Sequence, residues 1–309
     1  MSRSIPSTGE PGSIRTWFAS RTILTAAAKL FFANWKKASK TLEEEQLHDL
    51  RVASRRLREA LALFEPCLPP DEARKLSKRV RKVTRMLGPV RNADEARLFF
   101  LELKQKSPPT DTAVLDELLG ALEQEREQAR GQLAAILRHP RERRQTARLL
   151  DALHDRLNLF RDQEANPFLD FRTFAEGALT ERAETLAVLL PAASMEGDPA
   201  AQHMLRIAVK KMRYRVELME QHLHSPSALR DKLKSHQEVL GKLHDLDVFT
   251  GMVRERVAEG AAKEKLLDVM GQLRHELFTL FLELLQAMPL AAVPEDVRLL
   301  FPRRRRPSP

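Results

Sequence analysis

Apolar residues recur along most of this chain at spacings of three and four, with charged residues between them, which is the signature of amphipathic helices. No stretch of any length alternates with period two, so no strand is predicted. The first helix is expected over residues 13–39, with Trp17, Ile23, Leu24, Leu30 and Phe31 as its apolar content. Thr41 followed by Glu44 has the form of a capping box opening the second helix, which ends near Pro66. After Pro69 and Pro70, a helix from Asp71 has its seam at Leu76, Val80, Val83 and Leu87, and Gly88-Pro89 is expected to interrupt it. Helices follow over 93–105, 111–138 and 142–160, with a loop at 107–109. A second series covers 168–190, 200–223, 228–242, 246–258 and 263–288, broken at Pro191, Gly197-Asp198-Pro199, Ser225-Pro226 and Gly241.

The polar faces carry a pattern of their own. At 100° per residue, His48, Arg51, Arg55 and Arg58 fall within one narrow arc, opposite Leu50, Leu57, Leu61 and Phe64. The spacing returns 155 residues later as His203, Arg206, Lys210 and Arg213, backed by Leu205, Val209, Met212, Val216 and Met219. Arg56 is matched by Lys211, Leu87-Gly88 by Leu240-Gly241, and Asn92 and Asp94 by Asp245 and Asp247. A repeat of this period indicates an internal duplication. The expected fold is therefore all-α: two antiparallel four-helix bundles related by a pseudo-twofold axis. Residues 1–12 read as a disordered leader, 13–162 and 163–292 as the two half-bundles, and 293–309 as a basic tail containing Arg303 to Arg306.

Composition agrees with helix and adds a charge. The chain of 309 residues holds 11 Gly and one Tyr, and its formal net charge is +9. A basic protein of this size expects polyanions as partners. The single cysteine, Cys67, excludes an intramolecular disulfide and fits a reducing, cytoplasmic setting. The most apolar stretch, 277–293, is interrupted by Glu283 and Pro289, so no transmembrane segment is expected.

Four cations spaced 3, 4, 3 cannot be buried unpaired, so that face meets solvent or an anion. A solvated face would pair its charges with acids a turn away, and around Arg51, Arg55 and Arg58 only Glu59 qualifies. The next helix shows Arg74, Lys75, Lys78, Arg79, Arg81, Lys82 and Arg85 with no acid between Glu72 and Leu87. A bound polyanion would relieve that self-repulsion. Arginine forks and lysine points suit phosphate oxygens. Neither a Walker-type glycine loop nor GxGxxG is present, and no cofactor is expected. Bases of single-stranded nucleic acid stack on aromatics, and the basic helices hold none except Tyr214. A linear phosphate polymer needs only rows of cations; a nucleic acid held without sequence preference is the alternative. His48 and His203, each heading its row, are phosphate donors or helix-packing residues. His236, His244-Asp245 and Asp268 follow the ligand order of helical metal phosphohydrolases, a weaker reading because His244-Asp245 aligns with Arg91-Asn92. Cys67 lacks a histidine partner for nucleophilic catalysis and reads as structural.

These segments resemble the CHAD family, the conserved histidine α-helical domains. The matching pieces are His48-x-x-Arg51-Val52-x-x-Arg55-Arg56-Leu57-Arg58 and Leu87-Gly88-x-x-Arg91-Asn92-x-Asp94. In the second half they are His203-x-x-Arg206-Ile207-x-x-Lys210-Lys211-Met212-Arg213-Tyr214, Leu240-Gly241 and Asp245-x-Asp247, and the likeness covers roughly residues 14–290. The resemblance implies two pseudo-symmetric four-helix bundles around a basic groove. It also implies inorganic polyphosphate as ligand, held by the Arg, Lys and His of these motifs, and Arg91 joins the candidates on this ground. Some members associate with polyphosphate or polyhydroxyalkanoate granules. Many carry a CYTH triphosphatase domain, whose ExExK motif this chain lacks, so a stand-alone, non-enzymatic binding module is expected.

Overall fold

The computed structural model describes residues 15–106, 112–155 and 170–302. Ten α-helices account for most of them: α1 Thr16–Thr41, α2 Glu44–Leu63, α3 Pro70–Lys106, α4 Ala113–Arg138 and α5 Pro140–Asp155, then α6 Phe171–Ala193, α7 Pro199–Met219, α8 Ser227–Arg256, α9 Ala261–Ala287 and α10 Val293–Leu299. Among the described residues there is no strand, only one antiparallel bridge between Arg15 and Asp170. The all-α class is as expected. The leader, the 107–109 loop, the 156–160 helix end, the start of the second half and Arg303 to Arg306 lie outside the described residues. Residues 293–302, expected as part of the tail, instead include α10 and bury Val293, Val297, Leu300 and Phe301 in the core.

Four expected boundaries differ. α6 runs past Pro191 to Ala193. α3 runs through Gly88-Pro89 without a break, and α8 runs through Gly241. A proline inside a helix costs ~3 kcal/mol, and a glycine about 1. Pro89 is exposed, however, so its ring meets solvent, while Leu87 and Val90 are buried. Leu240 and Leu243 likewise pin the turn at Gly241, so packing overrides local propensity. The expected capping box does not form. Thr41 ends α1, Leu42 takes a left-handed turn (φ 56°), and Glu43 precedes α2 without a side-chain cap. Asp198 does cap α7, accepting from the Ala201 N–H at 2.8 Å.

Consecutive helices pack in the order α1–α2–α3–α4 and again α6–α7–α8–α9, with α2 against α7 joining the two series. The cores do not follow this division. The larger one gathers α1, α2, α6 and α7 with the first parts of α3 and α8, around Phe31, Trp35, Phe64 and Leu205. Trp35 Nε1 donates to the Leu137 carbonyl at 2.9 Å, tying α4 to this core. The smaller core joins the later parts of α3 and α8 to the first parts of α4 and α9, where Phe99 and Phe249 rings are 5.1 Å apart. The stretch Ala261–Leu299 is long and apolar enough to cross a membrane by length and composition. It is divided here: α9 ends at Ala287, and α10 turns back onto α6.

Candidate functional site

α2 and α7 are held face to face by two ion pairs. Arg215 Nε donates to Glu59 Oε1 at 2.9 Å and its Nη1 to the Ala178 carbonyl at 2.9 Å, with both charged side chains below 10% exposure. Arg56 Nη2 donates to Glu217 Oε2 at 2.8 Å. This fixes the angular position of both helices, and the heptad-like seams behind them turn the basic rows toward one another. Arg55 and Arg58 of α2, Arg74 and Arg81 of α3, and Lys210 and Lys211 of α7 line a cleft of about 680 Å³.

The cluster extends beyond the cleft to Arg51 of α2, Arg91 of α3 and Arg206 of α7. Burial, then the charges of Arg55 and Arg91, pushes the Arg51 guanidinium down to about 9. Arg58, Arg91 and Arg206 are lowered as well, by burial first and with cations of the same cluster contributing. Lys210 is pushed down to about 7 by burial, Arg55, Arg206, Arg51 and Arg58. Like charges brought this close and partly desolvated favour loss of a proton or capture of an anion. Arg51 Nε and Nη1 and Arg206 Nε are buried donors with no acceptor. Each such donor costs ~1–3 kcal/mol until satisfied.

One acid faces this cluster from α8. Burial raises the Asp245 carboxyl, working against Arg206, Arg91, Arg51 and Arg55. It caps no helix, since α8 passes straight through it. Asp247 pairs instead with Arg274 at 2.7 Å, as Asp94 pairs with Arg126 in the first series. Beside Asp245, His244 Nδ1 lies 2.9 Å from His203 Nδ1, so one ring donates and the other accepts. Burial and Arg206 push His244 down to about 4, and His203 is lowered by burial, Arg206 and Lys210.

The other expected residues are distributed differently. His48 is exposed and has no partner among the described residues. Arg213 Nε approaches Glu217 at 3.5 Å and its guanidinium covers the Tyr214 ring at 5.4 Å, so Arg213 and Arg56 share one carboxylate. Tyr214 lines the cleft but is only 5% exposed. The seven cations of α3 part by helical geometry. Arg74 and Arg81 line the cleft, and Arg85 acts on Arg58. Arg79 and Lys82 turn to α5, 3.4 and 3.0 Å from Glu142. Lys75 and Lys78 are exposed and line neither feature.

Sequence reasoning missed Arg182 of α6, whose Nε is buried without an acceptor in the cleft, and the pairing of His244 with His203. No periodic signal marks Arg182, and His244 drew notice only as a metal ligand. That metal reading does not assemble. His236 is fully buried and its Nε2 meets the Met288 carbonyl at 2.7 Å, while Asp268 lines a separate apolar cleft with Phe99 and Leu266. No group of three His, Cys, Asp or Glu stands ready for a metal among the described residues. Cys67 is buried, which pushes its thiol up to about 11.

Two solved structures share this fold over nearly the whole chain. The crystal structure of the CHAD domain from the plant Ricinus communis aligns with a TM-score of 0.65 and 24% identity, covering 97% of this chain and 96% of that one. PptA from Streptomyces chartreusis aligns with a TM-score of 0.68 and 16% identity, covering 89% and 99%. No curated protein matches. The family model described as the CHAD domain matches residues 22–290, a span that takes in both basic rows and the helices that turn them together, and the chain belongs to the CHAD family.

Proposed function

We propose that this chain is a non-enzymatic binder of inorganic polyphosphate. The observation that carries the reading is the convergence of Arg51, Arg55, Arg58, Arg91, Arg206 and Lys210 on one groove, with buried guanidinium donors lacking acceptors. Phosphate oxygens supply both the acceptors and the countercharge that such a cluster needs. The one aromatic that lines the cleft among the described residues, Tyr214, is buried under Arg213, so bases find no stacking platform there, and nucleic acid binds only through its backbone. On this reading the protein works in the cytoplasm and is targeted to polyphosphate or polyhydroxyalkanoate granules.

Competition binding tests it. Labelled long-chain polyphosphate is displaced by unlabelled polyphosphate, single-stranded DNA and duplex DNA across a salt series. Polyphosphate is expected to win by orders of magnitude, with affinity falling steeply as salt rises, because condensed counterions are released on binding. Equal competition by DNA makes the groove a generic polyanion surface. Replacing Arg51, Arg55 and Arg58 together by Ala removes three charge-assisted contacts, each worth ~1.5–3 kcal/mol. Affinity is expected to fall at least ~100-fold with helicity unchanged. Undiminished binding in that variant rejects the groove.

A further inference from the structure

Lys210 differs in kind from the cations around it. It lies half-buried one turn after Arg206 on α7 and lines the cleft with Arg55, Arg58 and Tyr214. The strongest charges acting on it are those of Arg55, Arg206, Arg51 and Arg58, all cations, while the one acid facing the cluster from α8, Asp245, stands among Arg206, Arg91, Arg51 and Arg55. Of the two acids that line the cleft among the described residues, Glu59 is engaged by Arg215 and Glu65 is exposed. Other lysines face carboxylates: Lys234 is 3.9 Å from Glu238, and Lys263 is 2.7 Å from Glu259. An arginine in such company keeps its proton. A lysine gives it up more readily, and its ammonium is pushed down to about 7. An amine that sheds its proton near neutral pH therefore stands among guanidinium groups, the arrangement that activates a lysine nucleophile beside other cations.

We propose that Lys210 is an acylation site, modified by acyl phosphates whose phosphate group is seated on Arg55, Arg58 and Arg206. The Nζ lone pair attacks the acyl carbonyl carbon and a C–N bond forms. The bond from that carbon to the phosphate oxygen breaks, and inorganic phosphate leaves with the electron pair. The amine's extra proton passes to water. The product is an uncharged amide, which removes one cation from the groove. Holding the phosphate beside the amine converts an encounter reaction into an oriented one. The inference rests on reading the groove as a phosphate site.

The full chain is incubated at neutral pH with acetyl phosphate, and initial rates are read at each lysine by mass spectrometry. A parallel series uses an acetyl ester of N-hydroxysuccinimide, which has no phosphate to seat. Lys210 is expected to react at least roughly tenfold faster than Lys234 with acetyl phosphate, by a smaller margin with the ester, and to be protected by inorganic phosphate. Equal rates at Lys210 and Lys234 overturn the proposal, and an equal preference with both reagents overturns the seating of the phosphate. Polyphosphate binding is measured on the same sample. Tight binding with a slow Lys210 rejects the acylation site alone. Selective acylation without polyphosphate binding upholds it and rejects the polymer as ligand. K210Q, which mimics the amide, is expected to bind polyphosphate several-fold more weakly than K210R, and equal affinity denies the modification any effect on binding.

Discussion

The two basic rows have the same spacing and different surroundings. On α2, Arg51, Arg55 and Arg58 enter the groove, while His48 at the head of the row is exposed. On α7, His203 at the head is drawn in against His244, and Arg213 at the foot is drawn off by Glu217. The cause lies on the neighbouring helices. α7 packs on α8, which offers His244 and Asp245, whereas α2 packs on α3, which offers Arg91 and Asn92 at the matching positions. Spacing fixes where a side chain points on its own helix, and the next helix decides what it meets there.

The contact that makes the rows face each other should give the largest effect when broken. Arg215→Ala strands Glu59, 8% exposed, in the interface between α2 and α7. Leaving one partner of a buried pair alone costs ~3–5 kcal/mol. Arg56→Ala breaks the parallel pair with Glu217, but Arg56 is 37% exposed and the loss should stay near ~1 kcal/mol or less. Thermal denaturation of both variants checks this. Equal costs would mean that apolar seams, not the buried pair, orient the rows.

The class of fold was legible because seams such as Leu76, Val80, Val83 and Leu87 are set by backbone period, and all are buried here. What was not legible depends on neighbours. The seven cations of α3 look like one basic face in sequence, yet the helical turn sends Arg81 to the groove and Lys82 to Glu142 of α5, a residue 60 positions away. The breaks at Pro89 and Gly241 were expected from local propensity, which buried leucines on the same turns outweigh. The place of Asp245 among arginines from three helices is a property of the assembled groove, which no local pattern marks.

The histidine pair predicts a pH dependence with opposite signs in two measurements. His244 is held down at about 4 and His203 is lowered, each by burial first and then by Arg206 and its neighbours. Both are bases, so unfolding takes up protons: their contribution to stability is present above the unfolded value of 6.5 and is lost as pH falls toward about 4. Asp245, a raised carboxyl, opposes this at the acid end of the window. Bound phosphates would offset Arg206 and Lys210 and favour the imidazolium. Polyphosphate affinity is therefore expected to rise over the same interval in which the free protein loses stability. Melting curves and titrations of the parent and His244→Asn at several pH values separate the two. Parallel profiles in parent and variant would remove the pair from the groove's chemistry.

The smallest effect is expected where the sequence placed a ligand and the structure places an exposed ring. His48 carries the same spacing as His203, so a model based on motif alone gives His48→Ala and His203→Ala equal losses. The structure does not: His48 has no polar partner among the described residues, while His203 is hydrogen-bonded to His244 beside Arg206. An exposed side chain keeps its rotamer freedom until a ligand orders it, and that ordering offsets much of what one hydrogen bond returns. His48→Ala should change polyphosphate affinity less than about twofold, below ~0.4 kcal/mol. His203→Ala should both weaken binding and flatten its pH profile. A loss at His48 as large as that at His203 would mean that bound polymer extends past Arg51 along α2, and that the motif reports the length of the track where the unliganded groove does not.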